Sequence, residues 1–485
     1  MKTVAFHNLG CKVNSYEMEV MQQKFKESEY EIVPFDSIAD VYVINTCSVT
    51  NIADRKSRQM LHRAKKTNPE AVVIAAGCYA QTDTEGADAD DAVDIIVGNN
   101  RKTEIVSLLE EYLSRRENAD VSGASIDTAT NAKLNAVSDL SKGVPYEDCG
   151  IYDSAERIRV DIKIQDGCDQ FCSYCIIPYA RGRVRSRDMQ SVTEEVARLA
   201  DKGFKEIVLT GIHLSSYGVD LMTDASGKRL NYNTIASGED FTNEELLRVI
   251  EAVSKTEGIK RVRLGSLEPR VITEDFLKAL TAIDSVCPHF HLSLQSGCDA
   301  TLKRMNRRYT TDEYYEKVAM LREFYDDPAI TTDIITGFPG ENEEEFEQTV
   351  RFVEKVKFYE THVFKYSKRK GTVAASLPGQ NTEAVKAARS DVLLEICDKN
   401  REDFLKARMD REVEMLIEEE RVIDGRRMYV GHTKEYIQAA VDAEKTDGNR
   451  GAELCQPSTG EILSGKCESV RDGRIVMLEY PVIMR

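Results

Sequence analysis

Over residues 1–113 short apolar runs alternate with amphipathic stretches. The runs 3–10, 41–46, 72–77 and 94–98 are rich in Val, Ile and Ala, and each closes on Gly or Thr. Their length suits strands. Between them, 14–28, 53–67 and 102–113 carry helical periodicity, so the alternation predicts a doubly wound parallel sheet. Residues 114–153 are rich in Ser, Ala, Asn and Asp and lack sustained periodicity, which predicts a linker.

A second series fills 154–385. Its strands are 159–165, 206–211, 261–266, 290–296, 330–337 and 361–367, and its helices carry start signals. Ser191 with Glu194, Thr242 with Glu245 and Thr310 with Glu313 fit capping boxes. Six β/α units fall short of the eight that close a full barrel, so the fold expected is α/β with a partial (β/α)6 barrel at its centre. Residues 219–241 look like an inserted polar loop. Residues 386–411 predict a connecting helix. Over 412–485 the short runs 413–419, 427–433, 436–441, 461–470 and 474–480 predict a small C-terminal β-barrel.

A length of 485 residues with 41% hydrophobic and 31% charged residues accommodates several cores. The start shows no signal-peptide stretch, and no run reaches the roughly 18 apolar residues of a membrane span, which predicts a cytoplasmic protein. The net charge of −18 argues against indiscriminate coating of nucleic acid, but local patches decide such contacts. Asp54 is the only acid among 51–66, which carry Arg55, Lys56, Arg58, Arg63, Lys65 and Lys66. Arg181, Arg183, Arg185 and Arg187 alternate along one stretch, and Lys303, Arg304, Arg307 and Arg308 form a third group.

Of twelve cysteines, six form two arrangements. Cys149, Cys287, Cys298, Cys397, Cys455 and Cys467 are scattered and read as reduced structural residues. Cys168, Cys172 and Cys175 follow the first strand of the central series. Thiolates at this spacing can wrap three corners of a 4Fe–4S cube from one loop, leaving the fourth iron open. Zinc is the rival, though structural zinc favours four ligands in separated pairs. Cys11, Cys47 and Cys78 lie 36 and 31 residues apart, yet each directly follows an apolar strand. In a parallel sheet those strand ends share one edge, so the three should converge on a second metal site.

The C-x3-C-x2-C spacing, with Phe171 and Tyr174 inside it, resembles the radical S-adenosylmethionine superfamily. That resemblance implies cofactor contacts at Tyr174, Thr210, Gly211, Ser266, Glu268, Ser293, Gln295, Gly337 and Phe338, all near the cysteine loop or at strand ends. Two tri-cysteine sites in one chain resemble the methylthiotransferase family, and the likeness covers nearly the whole chain. It implies an auxiliary 4Fe–4S cluster on Cys11, Cys47 and Cys78 and a radical cluster on Cys168, Cys172 and Cys175. It also implies two S-adenosylmethionine molecules per turnover, a terminal RNA-binding barrel called TRAM, and an electron donor such as flavodoxin or ferredoxin.

Family substrates include isopentenyladenosine and threonylcarbamoyladenosine in tRNA and an aspartate of a ribosomal protein. Leu9-Gly10-Cys11-Lys12-Val13-Asn14, Cys47-Ser48-Val49-Thr50 and Ile176-Ile177-Pro178-Tyr179-Ala180-Arg181-Gly182 resemble the threonylcarbamoyladenosine branch. This implies methylthiolation of carbon 2 of adenosine 37 in the tRNA anticodon loop. A substrate carboxylate and hydroxyl favour a cationic pocket, for which Arg181, Arg183, Arg55, Lys56 and Arg58 are candidates. In the C-terminal barrel Tyr429, His432 and Tyr436, with Arg426, Arg427 and Lys434, could form a stacking and phosphate surface; a purely structural barrel is the other reading. Rival functions are a ribosomal-protein or isopentenyladenosine methylthiotransferase and a non-catalytic iron–sulfur carrier.

Overall fold

A computed structural model describes residues 2–121, 133–151, 158–224, 226–236, 241–446 and 457–484. The N-terminal sheet has six parallel strands: β1 (Thr3–Asn8), β2 (Glu31–Val33), β3 (Val41–Thr46), β4 (Val72–Gly77), β5 (Ile95–Val97) and β6 (Leu134–Ala136). Their order is β2-β1-β3-β4-β5-β6. All residues of β3 and β4 are buried, as expected of central strands covered on both faces. The order reverses between β1 and β3, the position where open α/β sheets bind ligands beyond their strand ends.

Two edge strands escaped the sequence pattern because each is only three residues long. One of them, β6, corrects the linker assigned to 114–153, as does the helix Ile105–Val121, which runs past 113. Farther along the same stretch, Tyr146 donates its hydroxyl to the Lys163 carbonyl at 2.7 Å and Ile151 is fully buried. Residues 122–132 and 152–157 lie outside the described residues.

The central domain holds β7 (Arg159–Asp166), β8 (Arg185–Ser186), β9 (Glu206–Gly211), β10 (Arg261–Leu264), β11 (His289–His291), β12 (Ala329–Thr336) and β13 (Glu360–Lys365). Two sheets, β10-β9-β7-β8 and β11-β12-β13, are joined by isolated parallel bridges such as Val262 with Val286 and Leu267 with Leu292. With β8 antiparallel at its edge, the result is a curved wall of six parallel strands, an open (β/α)6 barrel. Alternate residues face outward: Val160, Ile162 and Ile164 of β7 join the core beneath the helices. The intervening residues, among them Lys163 and Gln165, point to the opposite face, where Lys163 meets Glu17 of the N-terminal helix.

Of the three capping boxes only Thr310 with Glu313 forms. Asp188 caps Met189–Asp201, accepting from the Ser191 N–H, and Asn243 caps Glu244–Ser254, accepting from the Leu246 N–H; both side chains are strong N-cap acceptors. The insertion 219–241 contains a 3-10 turn, a bridge between Thr223 and Arg229 and the short helix Tyr232–Ile235. Residues 225 and 237–240 of it lie outside the description.

The connecting helix is Glu383–Lys406. Beyond it β14 (Glu412–Ile423), β15 (Arg426–Thr433), β16 (Gln438–Asp442), β17 (Ile462–Arg471) and β18 (Ile475–Met484) close a barrel in the order β14-β15-β16-β18-β17. Its β15–β16 turn is pressed against the strand starts of the central domain. Arg261 donates to the carbonyls of His432 and Glu414, and Arg263 to those of Lys434 and Thr433. Arg159 and Arg263 each lie 4.7 Å from the Tyr436 ring, which also packs on His289 and stacks on His432 at 4.6 Å. Tyr429 is buried in the barrel core. The aromatic surface expected for RNA is therefore spent on packing between and within domains. Cys455 lies outside the described residues; the other five scattered cysteines are free thiols. Among the described residues no helix is long and apolar enough to cross a membrane.

Candidate functional site

The strand ends bring Cys11, Cys47 and Cys78 to one edge. Cys11 caps the helix Lys12–Glu27, Cys47 follows β3, and Cys78 opens the helix Cys78–Thr82. Gly10 makes the approach possible: at φ +118° a side chain is strained, and a Cβ there would lie 3.2 Å from Cys47 Cβ and 2.8 Å from Asn14 Nδ2. Asn99 Nδ2 lies 3.5 Å from Cys78 Sγ. Burial pushes the Cys47 thiol up to about 12, with Cys78 and Cys11 adding to it; Cys11 is raised too by the protein packed around it, although its side chain is exposed. Loading a metal there must release protons.

Cys168, Cys172 and Cys175 sit on the loop after β7. Gly167, at φ +73°, passes so close to Arg183 that a Cβ would meet its carbonyl oxygen at 1.9 Å. Cys168 donates its N–H to the Gly182 carbonyl at 3.0 Å, which folds the loop back on the helix Ile177–Arg181. Burial and the neighbouring thiols push Cys168 well above its ordinary range, and Cys175 to about 12. Arg307 Nη1 lies 3.4 Å from Cys172 Sγ, and its Nη2 donates to the Ser293 carbonyl. Arg307 stood out in the sequence only as part of a basic group; nothing local marks it as a neighbour of a cysteine 135 positions away.

Among the described residues the only trio of potential ligands whose atoms all lie within 4.8 Å of one another is His291, Asp333 and His362. Neither cysteine trio is that compact. Sulfurs around one zinc stand about 3.8 Å apart, given Zn–S distances of about 2.3 Å, so the wider spread and the all-thiol donor set fit an iron–sulfur cube better.

The expected cofactor contacts divide. Tyr174 meets Phe338 edge-on at 6.5 Å beside the cysteine loop. Ser293, Gln295 and Thr210 lie along the lumen, where Gln295 donates its N–H to the Asp333 carbonyl at 2.8 Å. Gly211 packs on Gln165, and Ser266 is exposed. Gly337 is a correction: a Cβ there would strike Lys386 at 2.4 Å, so the glycine accommodates the C-terminal helix and does not open space for a ligand. Glu268 accepts from Arg270 Nε at 2.7 Å and from the Tyr232 hydroxyl, which fixes its carboxylate within the protein.

Arg181 is the main correction among the substrate candidates. It is fully buried and bonded to Glu17, Asp166 and Asn14. Glu17 also pairs with Lys163 and Lys102, and Asp166 with Lys163 and Arg185. This charge network joins the N-terminal helix to β7, and the Arg181 charge opposes the rise of the Cys11 and Cys47 thiols. Arg183 is half exposed and stacks 4.7 Å from the Phe171 ring, while Arg55, Lys56 and Arg58 are exposed.

Two further features went unread in the sequence. Lys365, Lys368 and Lys370 are exposed on the segment after β13, although four basic residues within 365–370 were a legible signal. Burial and the charges of Arg307 and Arg270 hold His213 down to about 3, which keeps its imidazole neutral beside Gln170 and Ser216.

Residues 162–353 match the model of the Radical SAM superfamily, and residues 3–98 match that of the uncharacterized protein family UPF0004. The chain is 39% identical over 440 residues to the threonylcarbamoyladenosine tRNA methylthiotransferase MtaB of Bacillus subtilis, covering 90% of each chain. It is 39% identical over 417 residues to the MtaB of Aquifex aeolicus, covering 86% of this chain and 93% of that one. A tRNA-2-methylthio-N(6)-dimethylallyladenosine synthase of Clostridium tetani is 36% identical over 419 residues, 85% of this chain and 84% of that one. Among solved structures, the radical S-adenosylmethionine methyltransferase TsrM of Kitasatospora setae, with cobalamin and a [4Fe-4S] cluster bound, shares the fold at a TM-score of 0.50 and 17% identity, covering 77% of each chain. With two cysteine trios on adjoining domains and this extent of likeness, the chain belongs to the radical S-adenosylmethionine methylthiotransferase family.

Proposed function

We propose that the protein methylthiolates carbon 2 of N6-threonylcarbamoyladenosine in tRNA, with Cys168, Cys172 and Cys175 holding the radical 4Fe–4S cluster and Cys11, Cys47 and Cys78 the auxiliary one. The observation that carries this reading is the helix Ile177–Arg181. It begins two residues after Cys175 and ends in the arginine whose charge acts on Cys11 and Cys47, so the two thiol trios are neighbours across one domain junction.

When bound, the clusters and S-adenosylmethionine supply the one-electron chemistry and the sulfur that no side chain provides. The ring C–H of an adenine is too weakly acidic for a side-chain base. The chain's own groups therefore position and shield. Arg307 sets a positive charge against Cys172. Arg181 favours the thiolate forms of Cys11 and Cys47. The neutral His213 is a poor proton donor near the cysteine loop. A cytosolic donor such as flavodoxin or ferredoxin would deliver the electron, and the C-terminal barrel corresponds to the TRAM domain.

The substrate follows from likeness to the MtaB proteins, and the lumen wall agrees with it. His291 accepts or donates at Thr331 Oγ1 (3.0 Å) and faces Asp333 at 3.3 Å, with His362 stacked beyond it. Such a polar wall suits a hydroxyl-bearing group better than an isopentenyl tail. The decisive test is mass spectrometry of tRNA nucleosides from a deletion strain with no second such enzyme. The 2-methylthio-threonylcarbamoyl nucleoside should vanish and return with the wild-type gene but not with Cys172→Ala. Its persistence would redirect the assignment to another substrate.

A further inference from the structure

We infer that the RNA loop carrying the target adenosine docks on a cationic rim built by two domains, the helix Asn51–Thr67 and the segment 365–370 after β13, and not on the aromatic face of the C-terminal barrel. The inference rests on the tRNA reading above.

The rim is a built structure. Arg369 is buried and clamps the two parts: it donates to Asp54 at 2.6 Å, to Asn51 Oδ1 at 2.7 Å and to Ser48 Oγ at 2.7 Å. Asn51 returns two bonds, from its N–H to Ser367 Oγ and from Nδ2 to the Lys368 carbonyl, both at 3.0 Å. This arrangement presents Arg55 and Lys56 from one domain beside Lys365, Lys368 and Lys370 from the other, all exposed.

Those five side chains make no ion pair within 4 Å among the described residues, so their charge is not cancelled locally. Several outer-helix cations, by contrast, stand in matched pairs: Arg248 with Glu244 and Glu245, Lys255 with Glu251, Lys278 with Glu274, Lys406 with Glu402. In a chain of net charge −18, five unpaired cations on one rim form a local field that the whole molecule opposes.

The same rim exposes apolar surface. Val49 and Ile52 are 52% and 56% exposed between Cys47 and the clamp. Tyr179 is 52% exposed on the helix after Cys175, and Phe364 47% exposed at the end of β13. Large side chains this open beside unpaired cations fit unstacked bases and their phosphates, the chemistry of a single-stranded loop. In the C-terminal barrel, by contrast, Tyr436 and His432 are stacked on each other and on the central domain, Tyr429 is buried, and Arg426 and Arg427 stand 3.6 and 3.9 Å from Asp442 and Glu420.

The test measures binding of an anticodon stem–loop carrying threonylcarbamoyladenosine to the full-length protein across a salt series, by fluorescence anisotropy. K365E/K368E/K370E should weaken binding at least tenfold and flatten the slope of log affinity against log salt by about two to three, near one per lost phosphate contact. R55E/K56E, in the other domain, should independently weaken it and flatten the slope by about one to two. R426E/R427E should change affinity less than twofold. Iron content and circular dichroism matching wild type show that each variant retains its clusters and fold. Wild-type-like binding by both rim variants, or a larger loss in R426E/R427E, overturns the proposal. If the wild-type protein fails to bind the stem–loop at all, the tRNA reading itself falls, which is a different outcome.

Discussion

Arg181 and Arg307 are two arginines from similar basic stretches with different surroundings and different expected effects. Arg181 is sealed among Glu17, Asp166 and Asn14, so Arg181→Met leaves two buried carboxylates short of a partner. A loss of about 3–5 kcal/mol is expected in denaturant titration. Arg307 lies against Cys172, and with the proposed cluster on that loop its charge would favour the more reduced, more negative state. Arg307→Met should move the midpoint potential of that cluster to more negative values, read by redox titration of the reconstituted protein; an unchanged potential would remove Arg307 from the site. The pH response follows from Glu17. Burial would raise its carboxyl, but Arg181, Lys102 and Lys163 outweigh burial and hold it well below its ordinary 4.5, and Asp166 is likewise depressed. Such groups bind fewer protons folded than unfolded. Their stabilisation is complete above about pH 4.5 and lost as pH falls through the lowered values. Glu17→Gln should accordingly flatten the acid limb of stability against pH.

The decisive element is the turn between β15 and β16. A five-stranded barrel at the end of a chain reads as an appendage, and its alternating pattern was plain in the sequence. Nothing in that pattern showed that β14, the end of β15 and the turn after it would deliver four backbone carbonyls to Arg261 and Arg263 and the Tyr436 ring to Arg159 and Arg263. Arg261 and Arg263 are fully buried, and removing their acceptors strands charge at the base of the central barrel. Deleting residues 412–485 should therefore lower the melting temperature of the remaining chain and open its central domain to proteolysis. An undisturbed melting transition would restore the appendage view. Short elements mislead in the other direction. β2 and β6 escaped notice because three residues are too few to show alternation, whereas paired to longer neighbours they complete the sheet.

At the scale of the whole molecule, the N-terminal and central domains adjoin through the helix Ile177–Arg181 and the Glu17 network, and the two thiol trios should load independently. Cys47→Ala should lower iron from about eight to about four per chain and abolish methylthiolated product while reductive cleavage of S-adenosylmethionine persists, a result legible by iron assay and chromatography of 5′-deoxyadenosine. Loss of all iron would show instead that the sites fold as one. The sequence by itself determined the longer strands, the six-unit barrel, the terminal barrel and the placing of both cysteine trios at strand ends. Each of those depends on local period, turn residues or position at a strand end, which survive without knowledge of neighbours. Only the tertiary structure decided which charges were consumed and which stayed free. Arg181 and Arg369 became buried clamps, Tyr436 became packing, and Lys365, Lys368 and Lys370 kept open charge. The physical reason is that an ion pair or a stack depends on a partner, here hundreds of residues away in the case of Arg369 and Ser48, and periodicity carries no information about partners at that range.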